Sequence, residues 1–386
     1  MIKRDLEKSL RRLAGKYPVV TVTGPRQSGK TTLCRHVFAR KPYVSLETPD
    51  ARRRAVSDPR RFLREFPDGA VLDEIQRAPD LLSYIQTDVD EHGREGTFIL
   101  TGSRQLALMD SVSQSLAGRT ALVVLLPFSF GELYGGRKIP SIEEILYTGF
   151  YPRIFDRKLN PTEALSFYMS TYVERDVRSV LDVKDLSRFE IFVKSCAART
   201  GQILNLSSLA ADCGINHNTA RSWLSVLQAC YIVTLVPPHF RNFNKRLIKS
   251  PKLYFVDVGL AAYLIEIENP RQLRRHPLRG ALFETFVVSE ILKQRFNAVR
   301  SSHLYYFRDN IGNEIDLVLE SAGGVSAVEI KAGETVADDF FKGLRYYKKI
   351  NPSGAKRMAL IYGGRTSHKE KNVEVISFRD LAATGL

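Results

Sequence analysis

Long apolar runs are what this 386-residue chain most lacks. The longest, around Ala121 to Leu126, stops at Pro127, well short of the roughly 20 residues that a membrane-spanning helix needs. The N-terminus, Met1-Ile2-Lys3-Arg4-Asp5, turns polar and acidic before an apolar signal segment could begin. No membrane span and a cytoplasmic location are therefore expected. Cysteine is also scarce: Cys34, Cys196, Cys213 and Cys230 stand far apart, which leaves no close pair for a zinc site or a redox motif and points to reduced core thiols. Internal repeats and low-complexity tracts are missing as well, so organisation must be read from hydrophobic period. Acidic residues run short at the N-terminus, where residues 1–64 hold 17 basic and 5 acidic side chains, a surplus of 12 within a whole-chain net charge of +15. Such a surface attracts nucleic acid, an anionic membrane or nucleotide phosphates, or is simply a solvated basic face.

What is present is globular. Hydrophobic residues make up 44% and charged residues 26%, which gives no compositional case for disorder, and the length implies two or three cores rather than one. From Val19 to about Leu126, short apolar runs (Val19 to Thr23, Ala70 to Leu72, Phe98 to Thr101, Leu122 to Leu126) alternate with longer amphipathic stretches, the pattern of an α/β domain with a mainly parallel sheet. From about Pro140 to Val236 the period is mostly helical. Strand-like runs return at Leu253 to Val256, Leu304 to Arg308, Glu314 to Glu320, Val325 to Lys331, Arg357 to Tyr362 and Val373 to Ser377. Three regions result: 1–139, 140–240 and 241–386, the last a second α/β domain.

The run Gly24-Pro25-Arg26-Gln27-Ser28-Gly29-Lys30-Thr31, followed by Thr32, matches G-x-x-x-x-G-K-[ST] directly after a β-branched strand, the context in which that motif cradles phosphates. Glycines let backbone N–H groups approach phosphate oxygens, Lys30 reaches the β and γ phosphates, and the Thr31 hydroxyl ligates Mg²⁺ at the dipole-positive start of a helix. ATP and Mg²⁺ are the implied ligands. Gly69-Ala70-Val71-Leu72-Asp73-Glu74 is an apolar strand ending in two carboxylates: Asp73 would hold the magnesium through its water shell, and Glu74 would polarise the attacking water. A third strand, Phe98-Ile99-Leu100-Thr101-Gly102-Ser103, ends in hydroxyls, so Thr101 and Ser103 are candidates to sense the γ phosphate.

With GPRQSGKTT, LDEIQ, FILTGS, SLAGR, LPFSFGELYG and YVERDV on the page, the chain resembles the AAA-type ATPases. The likeness is to bacterial and archaeal members fused to a winged-helix and restriction-endonuclease-like C-terminal region of unknown function. The resemblance covers nearly the whole chain. It implies a P-loop NTPase fold and makes Arg119 a candidate arginine finger or sensor, with Arg104 its competitor. A finger acting across subunits would require a homo-oligomer.

In the middle region, Leu206 to Ile215 and Asn218 to Leu224 read as helix, glycine turn, helix, with Leu209, Ile215, Ala220, Trp223, Leu224 and Leu227 as core. Asn216, His217, Asn218, Arg221 and Ser222 would then face outward, where a helix-turn-helix meets DNA. A basic, aromatic-interleaved stretch, Phe240 to Arg246 with Lys249 and Lys252 beyond it, adds to a nucleic-acid interface, DNA more than RNA. Protein contact or plain packing is the alternative.

At the C-terminus, Glu314 to Glu320 and Val325 to Lys331 flank a turn at Ser321 to Gly324. A hairpin symmetric about that turn sets Asp316 opposite Glu329 and Glu314 opposite Lys331 on one face. Opposed carboxylates at a Cβ separation of about 4.5–5.5 Å repel unless a cation lies between them, and a divalent metal is the natural remedy. Asp316, Glu329 and Lys331 match the D…(D/E)-x-K pattern of restriction-endonuclease-like folds, with Lys331 orienting the nucleophile or stabilising charge. By resemblance, the helical Glu284 is a further metal ligand. The alternative is a surface salt bridge between Glu314 and Lys331 with the other carboxylates solvated. Whether such a domain cuts nucleic acid or only binds a partner stays open, because inactive relatives keep the fold.

Overall fold

The β-branched run Val19-Val20-Thr21-Val22-Thr23 forms β1, buried along its whole length. In the computed structural model, which describes residues 1–102, 115–173, 186–239, 249–321, 323–352 and 354–386, β1 is the centre of an N-terminal sheet. The other strands are β2 (Tyr43–Ser45), β3 (Ala70–Asp73), β4 (Phe98–Thr101) and β5 (Thr120–Val124), in the order β2-β3-β4-β1-β5. All pairs are parallel, so every strand of the sheet delivers its C-terminal end to one edge.

Side chains leave the sheet alternately to two apolar layers. Val20, Val22, Val71 and Ile99 pack against Leu6, Leu10 and Leu13 of helix α1 (Leu6–Ala14) and Leu33, Cys34 and Val37 of α2 (Lys30–Val37). Val19, Ala70, Leu72, Phe98 and Leu100 meet helices α3 (Pro49–Ser57), α4 (Pro59–Arg64) and α5 (Leu81–His92) on the other side. Burial on both faces is why these strands read as continuous apolar runs without alternation. β5 begins two residues before the run Leu122 to Leu126 suggests, because Thr120 already pairs with Val19 and shares a 2.9 Å side-chain hydrogen bond with Thr21. This first compact unit comprises residues 1–128, 229–231 and 295–300.

The second unit takes residues 129–228, 232–294 and 301–386. It is helical through its first half, but the mostly helical period there hides β6 (Gln202–Ile203) and β7 (Val233–Val236). The strand expected to open the C-terminal α/β part, Leu253 to Val256, is found as β8 (Lys252–Phe255). β8 lies between β6 and β7 in a three-stranded antiparallel sheet; these partners are distant in sequence, so local pattern shows the strand but not the sheet it joins.

The large C-terminal sheet contains β9 (Leu304–Arg308), β10 (Glu314–Ser321), β11 (Gly324–Lys331), β12 (Ala355–Tyr362), β13 (His368–Glu370) and β14 (Val373–Ser377), in the order β13-β14-β12-β11-β10-β9. β9, β10 and β11 are antiparallel, while β12 joins β11 in parallel after the helix Lys342–Ile350. The hairpin has the expected register, from Leu317 opposite Val328 to Ser321 opposite Gly324; Ala322 of its turn lies outside the described residues. Among the described residues no helix is long and apolar enough to cross a membrane.

One close approach holds the second unit together near its start. Asp257 accepts from the Phe150 and Leu260 amides at 2.8 and 2.9 Å, capping the helix Val258–Leu264. Gly149 (φ +65°) lies against that cap, where an added Cβ would fall 2.3 Å from Asp257 Oδ1 and 2.9 Å from the Gly259 backbone. Gly149→Ala is therefore expected to cost about 2–4 kcal/mol of unfolding free energy, measured by urea denaturation; a change within about 0.5 kcal/mol, the size of an ordinary surface substitution, would show that this contact relaxes freely.

Candidate functional site

The residues between β1 and α2 form a loop whose turns only certain residues tolerate. Gly24 has φ +143°, and an added Cβ would meet the Leu125 carbonyl oxygen at 2.1 Å, so no other residue fits. Gln27 and Gly29 are left-handed as well. Lys30 is folded over the loop, donating from Nζ to the carbonyls of Gly24 at 3.0 Å and Pro25 at 2.7 Å. Burial pulls its pKa from the ordinary 10.5 to about 8, against the opposing pull of Glu74 and Asp73. The Ser28 hydroxyl is buried with no hydrogen-bond partner. Pro25 and Ser28 are buried, Arg26 and Gln27 half-buried, and Thr32 exposed on the first turn of α2.

Asp73, the last residue of β3, gathers three hydroxyls. Thr31 Oγ1 donates to both its oxygens at 3.1 Å, Tyr43 donates at 2.7 Å, and Thr101 donates from the end of β4. Glu74 follows with a left-handed backbone (φ 57°), a conformation that non-glycine residues adopt uncommonly. Its amide donates to Thr101 Oγ1 at 3.4 Å, and its carboxylate accepts from the Gln76 side-chain amide. Sequence reasoning missed Tyr43, Gln76 and Arg4. Arg4 is buried beneath the loop and donates to the carbonyls of Ser28 and Leu126, each at 2.7 Å, with its guanidinium 4.8 Å from the Phe128 ring centroid. A buried arginine at the fourth position of a basic N-terminus carries no local signal of that role.

Arg119 sits at the other end of the sheet. It directly precedes Thr120, which pairs with Val19 at the start of β1, so roughly 15 Å of strand separates it from its own loop. Its Nε and Nη2 make a fork onto Asp90 at 2.6 and 2.8 Å. Ser103 and Arg104 lie outside the described residues.

In the second unit, β10, β11, β8 and the helix Arg279–Asn297 bring Glu284, Glu314, Asp316 and Glu329 together. The cations between them are lysines. Lys252 Nζ lies 2.5 Å from Glu314 Oε1, 2.9 Å from Glu284 Oε1 and 3.9 Å from Asp316 Oδ1, and Lys331 Nζ lies 2.9 Å from Glu329 Oε1 and 3.5 Å from Asp316 Oδ2. The Ile330 amide donates to Asp316 at 2.7 Å, Tyr254 donates to Glu284 at 2.5 Å, and Arg308 donates to Glu314 at 3.0 Å. Burial and the neighbouring Asp316 push Glu329 above the usual carboxylate range, with Lys331 opposing; burial likewise raises Glu284, with Lys252 opposing.

The expected meeting of Asp316, Glu329 and Lys331 is thus found, whereas the surface pairing of Glu314 with Lys331 is not: Glu314 goes to Lys252 and Arg308. Among the described residues no group of three or more carboxylate, histidine or thiol side chains is posed to hold a metal ion. As arranged here, the ammonium groups fill the space that Glu284, Asp316 and Glu329 would need as metal ligands. Lys252 was read as the tail of a basic stretch; the signal against that reading is a lysine two residues from Tyr254 on a strand that is otherwise apolar.

A family model described as an AAA domain matches residues 16–134, and two models of domains of unknown function, DUF8612 and DUF4143, match residues 139–271 and 279–381. Uncharacterized protein Rv2008c of Mycobacterium tuberculosis is 32% identical over 338 residues, 86% of this chain and 74% of that protein. Uncharacterized protein Mb2031c of Mycobacterium bovis matches to the same extent. The chain belongs to their family, and its residues 16–134 are an AAA-type P-loop domain. A solved structure, the Walker-type ATPase of Pyrococcus abyssi, is similar at 16% identity over 68% of this chain and 96% of that one, with a TM-score of 0.47.

Outside the AAA domain, the expected helix-turn-helix positions fall on helices Leu206–Asp212 and His217–Ala229 with Gly214 left-handed between them. Leu209, Ala220, Trp223, Leu224 and Leu227 are buried and Ile215 is half-buried, with Trp223 edge-on to Phe189 and Phe192. Asn218, Arg221 and Ser222 are exposed and His217 is half-buried, while Asn216 is spent on the Thr219 amide at 2.8 Å. The basic stretch from Phe240 to Arg246 lies outside the described residues; Lys249 is exposed and Lys252 is buried.

The loop lysine of the AAA domain has a consequence for stability. Its folded-state pKa lies below the unfolded value, so between about 8 and 10.5 the unfolded chain holds a proton that the folded chain does not. The buried ammonium therefore costs stability in full below pH 8, and the cost fades as pH rises through that window. Lys30→Met is expected to be stabilised relative to wild type near neutral pH, by a margin that shrinks as pH rises toward 10.5. Urea midpoints across that range test it, and a margin independent of pH would contradict it.

Proposed function

We propose that the chain is a magnesium-dependent ATPase whose hydrolysis cycle governs the association of its second unit with nucleic acid, DNA more than RNA. The observation that carries this reading is the contact of Thr31 with Asp73 at 3.1 Å, which brings a helix-start hydroxyl and a strand-end carboxylate to one point beside the phosphate loop. Hard oxygen ligands of this kind suit Mg²⁺, which keeps several waters and binds through one or two protein groups plus phosphates. The orphaned Ser28 hydroxyl, and a Lys30 ammonium held only by loop carbonyls, are donors that a triphosphate would satisfy.

Thr31 and Asp73 would hold the ion, which when bound neutralises charge on the phosphates. The residues Gly24, Pro25, Arg26, Gln27, Ser28, Gly29, Lys30, Thr31 and Thr32 would enclose the phosphates, with Lys30 on the β and γ groups. Glu74 would orient and polarise the attacking water, and Thr101, already touching both Asp73 and the Glu74 amide, would relay the presence of the γ phosphate between them. Ser103 is proposed as a second sensor. Arg119, held far from its own loop, would serve as a finger only for a neighbouring copy in a homo-oligomer.

The order helix, short strand, two helices, two strands, closed into an antiparallel sheet, supports a winged-helix reading of residues 186–255. The antiparallel β9-β10-β11 joined in parallel to β12, with Asp316 and Glu329-Ile330-Lys331 on adjoining strands, supports a restriction-endonuclease-like reading of the C-terminal sheet. A second reading, that the module binds its partner without cutting, is favoured by the lysine ammonium groups between the carboxylates.

Phosphate release from ATP tests the primary reading. Wild type is expected to turn over with Mg²⁺ and faster with DNA, while Lys30→Ala and Glu74→Gln fall at least about 100-fold. Lys30→Ala should also lose nucleotide binding, and Glu74→Gln should keep it. Wild-type protein that neither binds nor hydrolyses ATP would end the proposal; turnover indifferent to DNA and RNA would remove its nucleic-acid part.

A further inference from the structure

Ionised carboxylates that converge in a protein repel unless a cation lies among them or one of them takes up a proton. Glu284, Glu314, Asp316 and Glu329 come from three separate elements to one place, and Asp316 and Glu329 are each less than a tenth exposed. Charge repulsion at such separations, in a partly dehydrated setting, would splay them apart if nothing compensated it. A proton on Glu284 or Glu329, whose affinity for it is raised here, relieves part of the repulsion; the cation that compensates the rest is either a bound divalent ion or the ammonium groups already present.

The two lysines are not equivalent. The Lys331 side chain is 32% exposed at the end of its strand and can swing away, whereas that of Lys252 is 3% exposed. Lys252 also pairs through its backbone with Ile203 on one side and Val236 on the other, so its stem is held by both neighbouring strands. Tyr306 lies along its flank at 5.6 Å, and Tyr254, two residues on along the same strand, donates to the same Glu284 oxygen that Lys252 contacts. The ammonium is therefore built into the sheet between Glu284, Glu314 and Asp316, and it cannot leave without disturbing β8.

We propose that Lys252 is the resident cation of this cluster, occupying the position a divalent ion would need, so that the cluster takes up no Mg²⁺ or Mn²⁺ while Lys252 is in place. The proposal rests on the nuclease-like reading only for the expectation that such a cluster would otherwise hold metal. An ion beside Lys252 would add two positive charges within a few ångströms of a fixed one. Removing the Lys252 charge leaves four carboxyl groups facing Lys331 and Arg308, a set that a divalent ion can draw into full ionisation and neutralise. A ligand oxygen is ready for it: Glu329 Oε2 is buried with no hydrogen-bond partner, beneath the start of the helix Lys342–Ile350, where Gly343 leaves room that a Cβ 3.1 Å away would fill.

The test is Mn²⁺ binding to nucleotide-free, full-length protein, followed by calorimetry and by the resonance signal of free Mn²⁺, with Asp73→Asn throughout to silence the AAA-domain ligands. The Asp73→Asn protein is expected to show no saturable Mn²⁺ uptake into the millimolar range. Adding Lys252→Met, which keeps an unbranched apolar stem one atom shorter and removes the charge, is expected to create one site at least about tenfold tighter, abolished by further adding Asp316→Asn; Lys252→Arg, which keeps the charge, should stay free of metal. Saturable uptake with Lys252 present that Asp316→Asn removes would overturn the proposal whether or not the methionine variant folds. So would a folded methionine variant that gains no ion. Nucleic-acid binding by the same proteins, measured without metal, reports separately on the nuclease-like reading.

Discussion

The AAA domain turns on the contact between Thr31 and Asp73. Each residue is unexceptional alone, a hydroxyl on the first turn of α2 and a carboxylate at the end of β3. They meet because the sheet is parallel throughout and β4 lies between their strands, so that β1, β4 and β3 all end at one edge. A hydrogen bond to a carboxylate contributes about 1.5–3 kcal/mol, and here three hydroxyls share one. The surrounding residues hold this point still: Tyr43 pins Asp73 from the neighbouring strand, Thr101 ties it to the Glu74 amide, and Arg4 braces the loop from below through the Ser28 carbonyl. The left-handed backbone at Glu74 fits such a framework, since strain persists only where neighbours fix it.

The second unit handles negative charge differently. In the AAA domain the acidic residue waits with hydroxyl partners, which exchange readily for an ion. In the C-terminal cluster the acidic residues are already met by ammonium groups, one of them locked into β8. Burial of an ion pair adds little net stability but leaves a large penalty for any one charge left alone. The cluster therefore constrains its own chemistry: whatever enters must bring a charge pattern that Lys252 and Lys331 tolerate.

How much of this was legible in the sequence follows from range. The phosphate loop, Asp73, Glu74 and Thr101 could be read directly, because each stands at a strand end and the loop residues follow one another along the chain. The hairpin register could be read too, since a short symmetric turn fixes which residues face each other, and Leu317 does lie opposite Val328. Lys252 could not. Its partners Glu284 and Glu314 are brought to it by the long helix and by β10 of the large sheet, and in the sequence it merely extends a run of basic residues. Tyr43 and Arg4 escaped for the same reason, being distant in the chain from Asp73 and Ser28. The strand at Leu253 was legible but its sheet was not, because antiparallel pairing with residues 202–203 and 233–236 leaves no local trace.

If the loop and the end of β3 form one magnesium and triphosphate site, a bound ion lies between Thr31 and Asp73. Crystals grown with Mn²⁺ and a non-hydrolysable ATP analogue test it most directly through the anomalous scattering of the ion. The account predicts a single manganese peak at coordination distance, about 2.1 Å, from Thr31 Oγ1, with Asp73 in its water shell and the β and γ phosphates under the Gly24 to Lys30 backbone. Nucleotide bound elsewhere, or a peak away from both Thr31 and Asp73, would contradict it.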